Sequence, residues 1–163
     1  MKRVAYIAAV AMLATLAAGI AAYANYDEWF ILPKARKLVA DKLNDPLSAQ
    51  FRNDRLIAEN WHCGEVNGKN AMGGYVGFRR FISGRINKEV YLERTGMVGE
   101  ETTAEVLLLA DKVIARMKAQ NEMKARDPDF KYPNESDADR YDRARGEVFE
   151  DHWKAICEAK SIS

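Results

Sequence analysis

Trp61-His62-Cys63-Gly64-Glu65-Val66-Asn67-Gly68-Lys69-Asn70-Ala71-Met72-Gly73-Gly74-Tyr75-Val76-Gly77-Phe78-Arg79-Arg80-Phe81-Ile82-Ser83 decides the fold of this chain. Residues 67–74 are rich in types that tolerate positive φ and read as a loop. Trp61 to Val66 on one side and Tyr75 to Ser83 on the other read as strands. Alternation along the second run puts Val76, Phe78 and Ile82 on one side, interrupted by Arg80, and Tyr75, Arg79 and Phe81 on the other. Upstream, Leu56-Ile57-Ala58 forms a further strand before a polar turn near Glu59-Asn60. Downstream, Gly84 or the Asn87-Lys88 step turns the chain into Glu89-Val90-Tyr91-Leu92. The expectation is an antiparallel sheet of three to four strands with aromatic residues on both faces.

Helical periodicity takes over on either side. Ala35, Leu38, Val39 and Leu43 recur at helical spacing among Lys34, Arg36, Lys37 and Lys42, which predicts a short amphipathic helix over 34–43. Asp45-Pro46 ends it and opens another turn, with Asp45 as cap. On the C-terminal side, Thr102 followed by Glu105 is a capping-box pattern before a helix that runs to about Arg126. Its face Val106, Leu109, Val113, Ile114 and Met117 is expected to pack on the sheet. Asp127-Pro128 breaks this helix, and Phe130 and Tyr132 tuck back in the loop that follows. Ser136 caps a last helix with the seam Tyr141, Val148, Phe149, Trp153, Ile156 and Cys157. Helices at both ends of an antiparallel sheet define an α+β domain, assigned here to residues 25–163.

Residues 1–24 are set apart by composition. Lys2 and Arg3 precede 21 uncharged residues, Val4 to Ala24, ten of them alanine. Two readings compete: a signal peptide cut after Ala22-Tyr23-Ala24, or an uncleaved inner-membrane anchor over residues 4–24. A buried N-terminal helix is the third. The first two place Lys2 and Arg3 inside and the remainder in the periplasm or beyond, with Tyr26 and Trp29 at the interface if the anchor is kept. Without the leader the chain has 139 residues, 23 basic and 24 acidic, hence a net charge of −1. That balance gives no support to nucleic-acid binding.

Three segments carry a resemblance. They are Asp45-Pro46-Leu47-Ser48-Ala49-Gln50-Phe51-Arg52-Asn53, then Cys63-Gly64-Glu65-Val66-Asn67-Gly68-Lys69-Asn70, then Gly73-Gly74-Tyr75-Val76-Gly77-Phe78-Arg79-Arg80-Phe81. Together they resemble a group of small exported bacterial and prophage-associated proteins of unknown function, in which a cysteine often follows near the C-terminus. The resemblance covers roughly residues 38–92 and the end of the last helix around Trp153 and Cys157. It implies a domain type and no activity.

The candidate working surface is the loop and the strand after it. Asn67, Lys69, Asn70, Tyr75 and Arg79, with Arg80 beside them, set amides, cations and a phenol around a glycine-rich bend. A polyanionic glycan or another envelope protein suits such a patch, and a plain structural hairpin is the alternative. The loop is not a phosphate-binding P-loop, because Asn70 stands where a hydroxyl residue would follow Lys69.

Chemistry elsewhere is thinner, and no catalytic residue is assigned. A nucleophilic pair needs His152 to reach Cys63, and a small hydrolase needs Glu59 and Glu65 correctly spaced. His62 and Cys63 point to opposite faces of one strand, and His152 and Cys157 lie about 140° apart around a helix, so zinc ligation is disfavoured. No cofactor is expected. The two cysteines, Cys63 and Cys157, are expected to form a disulfide that docks the final helix on the sheet, against the alternative of two separate buried thiols. The functional expectation is a non-catalytic recognition or accessory module of the envelope. The alternative is a structural or phage-derived protein with a homotypic interface.

Overall fold

The computed structural model describes residues 2–58 and 60–159, with side chains from Met12 onward. The helices are α1 (Lys2–Ala24), α2 (Leu32–Ala40), α3 (Thr103–Arg126) and α4 (Asp137–His152). The strands are β1 (Gln50–Ile57), β2 (Trp61–Asn67), β3 (Arg79–Gly84), β4 (Glu89–Leu92) and β5 (Gly96–Met97). They form one antiparallel sheet in the order β1-β2-β3-β4-β5. The fold is α+β, and the sheet exceeds the expected three to four strands by the two-residue β5. Glu59, expected in the β1–β2 turn and as half of a carboxylate pair, lies outside the described residues.

Both faces of the sheet are covered, which explains why aromatic residues alternate onto both. On one face α2 delivers Val39 to Val66, Phe81, Val90 and Leu92. On the other, Phe149 and Cys157 cover Cys63, Ile82 and Tyr91. Phe81, Ile82 and Phe149 are almost wholly buried, and each such side chain contributes about 1.5–3 kcal/mol of transfer free energy. The second face is fastened covalently, since Cys63 and Cys157 form a disulfide with Cα atoms 5.9 Å apart. Cys157 sits in a widened π-type turn, Trp153–Cys157, whose carbonyl end is closed by Arg55 Nη2 donating to Cys157 O at 2.8 Å.

Three expectations need correction. Tyr75 to Phe78 do not extend β3: Gly77 takes φ +91°, and the only pairing there is an isolated bridge between Lys69 and Tyr75. The apolar face of α3 does not lie on the sheet. Leu109 packs with Ala144 and Val148 of α4, while Val106, Ile114 and Met117 stay about half exposed. Ion pairs join the two helices, Lys112 to Asp151 at 2.6 Å and Arg116 to Glu147. The helix starts match expectation: Thr102 Oγ1 accepts from Glu105 N–H, and Ser136 forms a capping box with Asp139.

The third correction concerns location. Among the described residues no helix is long and apolar enough to cross a membrane. This corrects the expected localisation at an inner-membrane anchor over residues 4–24. Ten of the 21 residues of that run are alanine, and the side chains of residues 4–11 lie outside the described ones. Within α1, Met12, Leu13, Leu16 and Ile20 are exposed. The side chains of Lys2 and Arg3 lie outside the described ones.

Candidate functional site

The loop between β2 and β3 is ordered by its own polar groups. Asn70 N–H donates to Gly74 O at 2.8 Å, and Asn70 Oδ1 accepts from the N–H groups of Met72 and Gly74 at 3.0 Å each. Asn70 thus spends its acceptor inside the loop and keeps its amide donors for anything outside. Lys69 N–H donates to Ser48 Oγ at 3.0 Å, and Ser48 Oγ donates to Asp45 O at 2.8 Å. The Asp45-Pro46-Leu47-Ser48 turn therefore holds the base of the loop. Asp45 supplies a carbonyl there and no side-chain cap. A Cβ at Gly68 would stand 3.0 Å from Leu43 Cδ1, so the loop leaves β2 in tight contact with the chain after α2.

Beside this loop opens a cleft of about 490 Å³. Four cations line it, Lys42, Lys69, Arg79 and Arg94, and among the described residues no carboxylate does. None of the four makes a salt bridge to a described residue. Lys69 Nζ lies 5.5 Å from the centre of the Tyr75 ring, and Arg79 donates to the neutral Thr95 Oγ1 at 3.5 Å. Arginines elsewhere are partnered: Arg52 with Glu65, Arg80 with Glu93 and Glu150, and Arg145 with Glu101. The apolar lining is aliphatic, Leu43, Val66, Val76, Leu92 and Val98, of which Val66 and Leu92 are buried and Val76 is about half exposed.

Of the five residues expected at the working surface, the cleft gathers Lys69, Asn70 and Arg79. Tyr75 stands outside the lining with the Lys69 ammonium against its ring. Asn67 is buried, and its Oδ1 has no hydrogen-bond partner among the described residues. Sequence reasoning missed Lys42, Arg94 and Thr95, which arrive from the end of α2 and the β4–β5 turn. Arg80 faces away, stacked on Phe149 and Trp153.

A second polar cluster lies on the α2 face. Between Arg52 and Arg55 the β1–β2 register slips, so two residues oppose Gly64 and Asn53 takes φ +52°. The bulge turns Asp54 inward. Its carboxylate receives Arg36 Nε at 2.7 Å and Arg36 Nη2 at 2.8 Å, and lies 3.0 Å from His62 Nε2. Burial alone would raise the Asp54 carboxyl, but the hydrogen bonds and charges of Arg36 and His62 hold it below the ordinary carboxylate range. Burial lowers the His62 imidazole against the opposing pull of Asp54. Ser83 pairs with His62 across β2 and β3, but both side chains are sealed from solvent, as is Asp54. The cluster ties α2 to the sheet; a substrate has no path to it.

The remaining chemical possibilities are engaged otherwise. Cys63 is bonded to Cys157, and His152 Nε2 pairs with Glu105 Oε2 at 3.2 Å. Glu65 pairs with Arg52, which lowers its pKa. Fold and site together define an α+β domain with a solvent-open cationic cleft. Comparison with protein-family models, curated proteins and solved structures finds no match to this chain.

Proposed function

We propose that this chain is a non-catalytic recognition or accessory module that holds an anionic ligand in the cleft between Lys42, Lys69, Arg79 and Arg94. One observation carries the reading: four cations line one concavity to which no described carboxylate contributes, Glu93 acting on Arg94 from outside the lining, in a chain whose charges balance overall at 25 basic against 24 acidic. Like charges gathered this way repel one another, and an incoming anion relieves that repulsion. Asn70 and Thr95 add neutral groups at the rim.

The test is a titration of the isotope-labelled full chain with inorganic phosphate, followed by amide NMR. Resonances of residues 66–70, 79 and 94–98 are expected to move together and saturate. Lys69→Ala combined with Arg79→Ala should abolish the response while stability changes by only about 0.5 kcal/mol per site, as for surface substitutions generally. Shifts scattered over the whole surface, or unchanged in the double variant, would refute the reading.

A further inference from the structure

Charge explains only part of the cleft. An inorganic anion or a bare carboxylate gains nothing from the aliphatic side chains that line the cleft beside the cations, Leu43, Val76 and Val98 above the buried Val66 and Leu92. Val76 at the side is about half exposed, so part of this apolar surface faces water in the free protein. A ligand matched to the site brings an aliphatic group as well as negative charge.

We infer that the cleft takes a short acidic peptide segment of a protein partner, with an aliphatic side chain against the aliphatic lining around Val76 and flanking carboxylates held by the four cations. The inference rests on the cleft being an anion-recognition site. Three observations select a peptide over a charged polysaccharide or a nucleic acid. First, a long polyanion tracks cations beyond one concavity, whereas Arg52, Arg80 and Arg145 outside the cleft are tied to carboxylates. Second, among the described residues no aromatic side chain lines the cleft, so bases and sugar faces find no flat platform. Third, Arg79 presents a guanidinium fork steadied by Thr95, which fits a planar carboxylate at two points. The volume of about 490 Å³ suits a few side chains and not a whole domain face.

A displayed library of short peptides built from Asp, Glu, Leu, Val and Ser is selected against the full chain and against its Val76→Ser variant. Phosphate titration by NMR runs in parallel on the unaltered protein. The wild-type protein should enrich peptides with Leu or Val between acidic residues by about tenfold over those with Ser there, and Val76→Ser should lose that preference. Recovery of acidic peptides with no aliphatic preference overturns the inference. So does a sulfated oligosaccharide that displaces phosphate at lower concentration than any selected peptide. In both cases a persisting phosphate response keeps the anion site and removes only the peptide, whereas a missing phosphate response removes both.

Discussion

Replacing Gly64 with alanine tests how the sheet admits a carboxylate to its interior. A Cβ at that position would stand 2.4 Å from Asp54 Cβ and 2.5 Å from Asp54 Cα. Part of the clash is with backbone, so no rotamer change relieves it. Strands β1 and β2 must separate by about 1 Å at the bulge to restore ordinary contact. Forcing extra methyl volume into a packed site costs roughly 1–3 kcal/mol. The displacement also pulls Asp54 from Arg36 and His62, and hydrogen bonds to charged groups contribute about 1.5–3 kcal/mol. The expected loss is therefore about 3–5 kcal/mol, a fall in Tm of roughly 6–20 °C for a chain of this size. Gly146→Ala is the internal control. That residue lies within α4 with nothing inside 4 Å of a new Cβ, and alanine there should stabilise by about 0.5–1 kcal/mol. Urea titration followed by far-UV circular dichroism measures both. If Gly64→Ala costs less than about 1 kcal/mol, the bulge is not what positions Asp54 and the reasoning fails.

Two more outcomes follow from the same contacts. Replacing both Cys63 and Cys157 with alanine frees a loop spanning 94 residues and should cost about 2–5 kcal/mol; equal urea midpoints for the variant and the oxidised protein would refute the role given to the bond. Acid should weaken the fold in two steps. His62 has a lowered pKa when folded, so the unfolded chain takes up its proton first, and stability falls as the pH drops below about 6.5. Asp54 is also lowered when folded, so its contribution is present above the ordinary carboxylate pKa and is lost as the pH falls through the folded value. Urea midpoints between about pH 8 and about pH 3 read both steps, and a flat profile down to about pH 5 would contradict the buried neutral imidazole.

Local signals in the sequence were legible where one residue sets the geometry. Ser136 and Thr102 mark helix starts because a hydroxyl satisfies a free N–H wherever the helix packs. The Cys63–Cys157 pair was legible because two cysteines admit one pairing. The first half of β1 was hidden: Gln50 to Arg55 is polar apart from Phe51, and the bulge at Asn53 and Asp54 destroys the two-residue period that identifies a strand. Gly77 delays the start of β3 to Arg79 although its neighbours alternate convincingly. The partner of α3 was misread because periodicity reports that a face is apolar, not whether it meets a sheet or a helix. The cleft was half legible. Lys69, Asn70 and Arg79 are near one another along the chain, while Lys42 and Arg94 join them only through tertiary structure.

The cover of the second sheet face has a consequence for the order in which the chain can fold during synthesis. Strands β2, β3 and β4 are complete once Leu92 has been made, and α2 is already available for the first face. The other face waits for Phe149 and Cys157, roughly sixty residues later. At about 5–20 residues per second, that leaves about 3–12 s in which Ile82 and Tyr91 have no cover from their own chain. Throughout that interval Cys63 is a thiol whose only intramolecular partner does not yet exist.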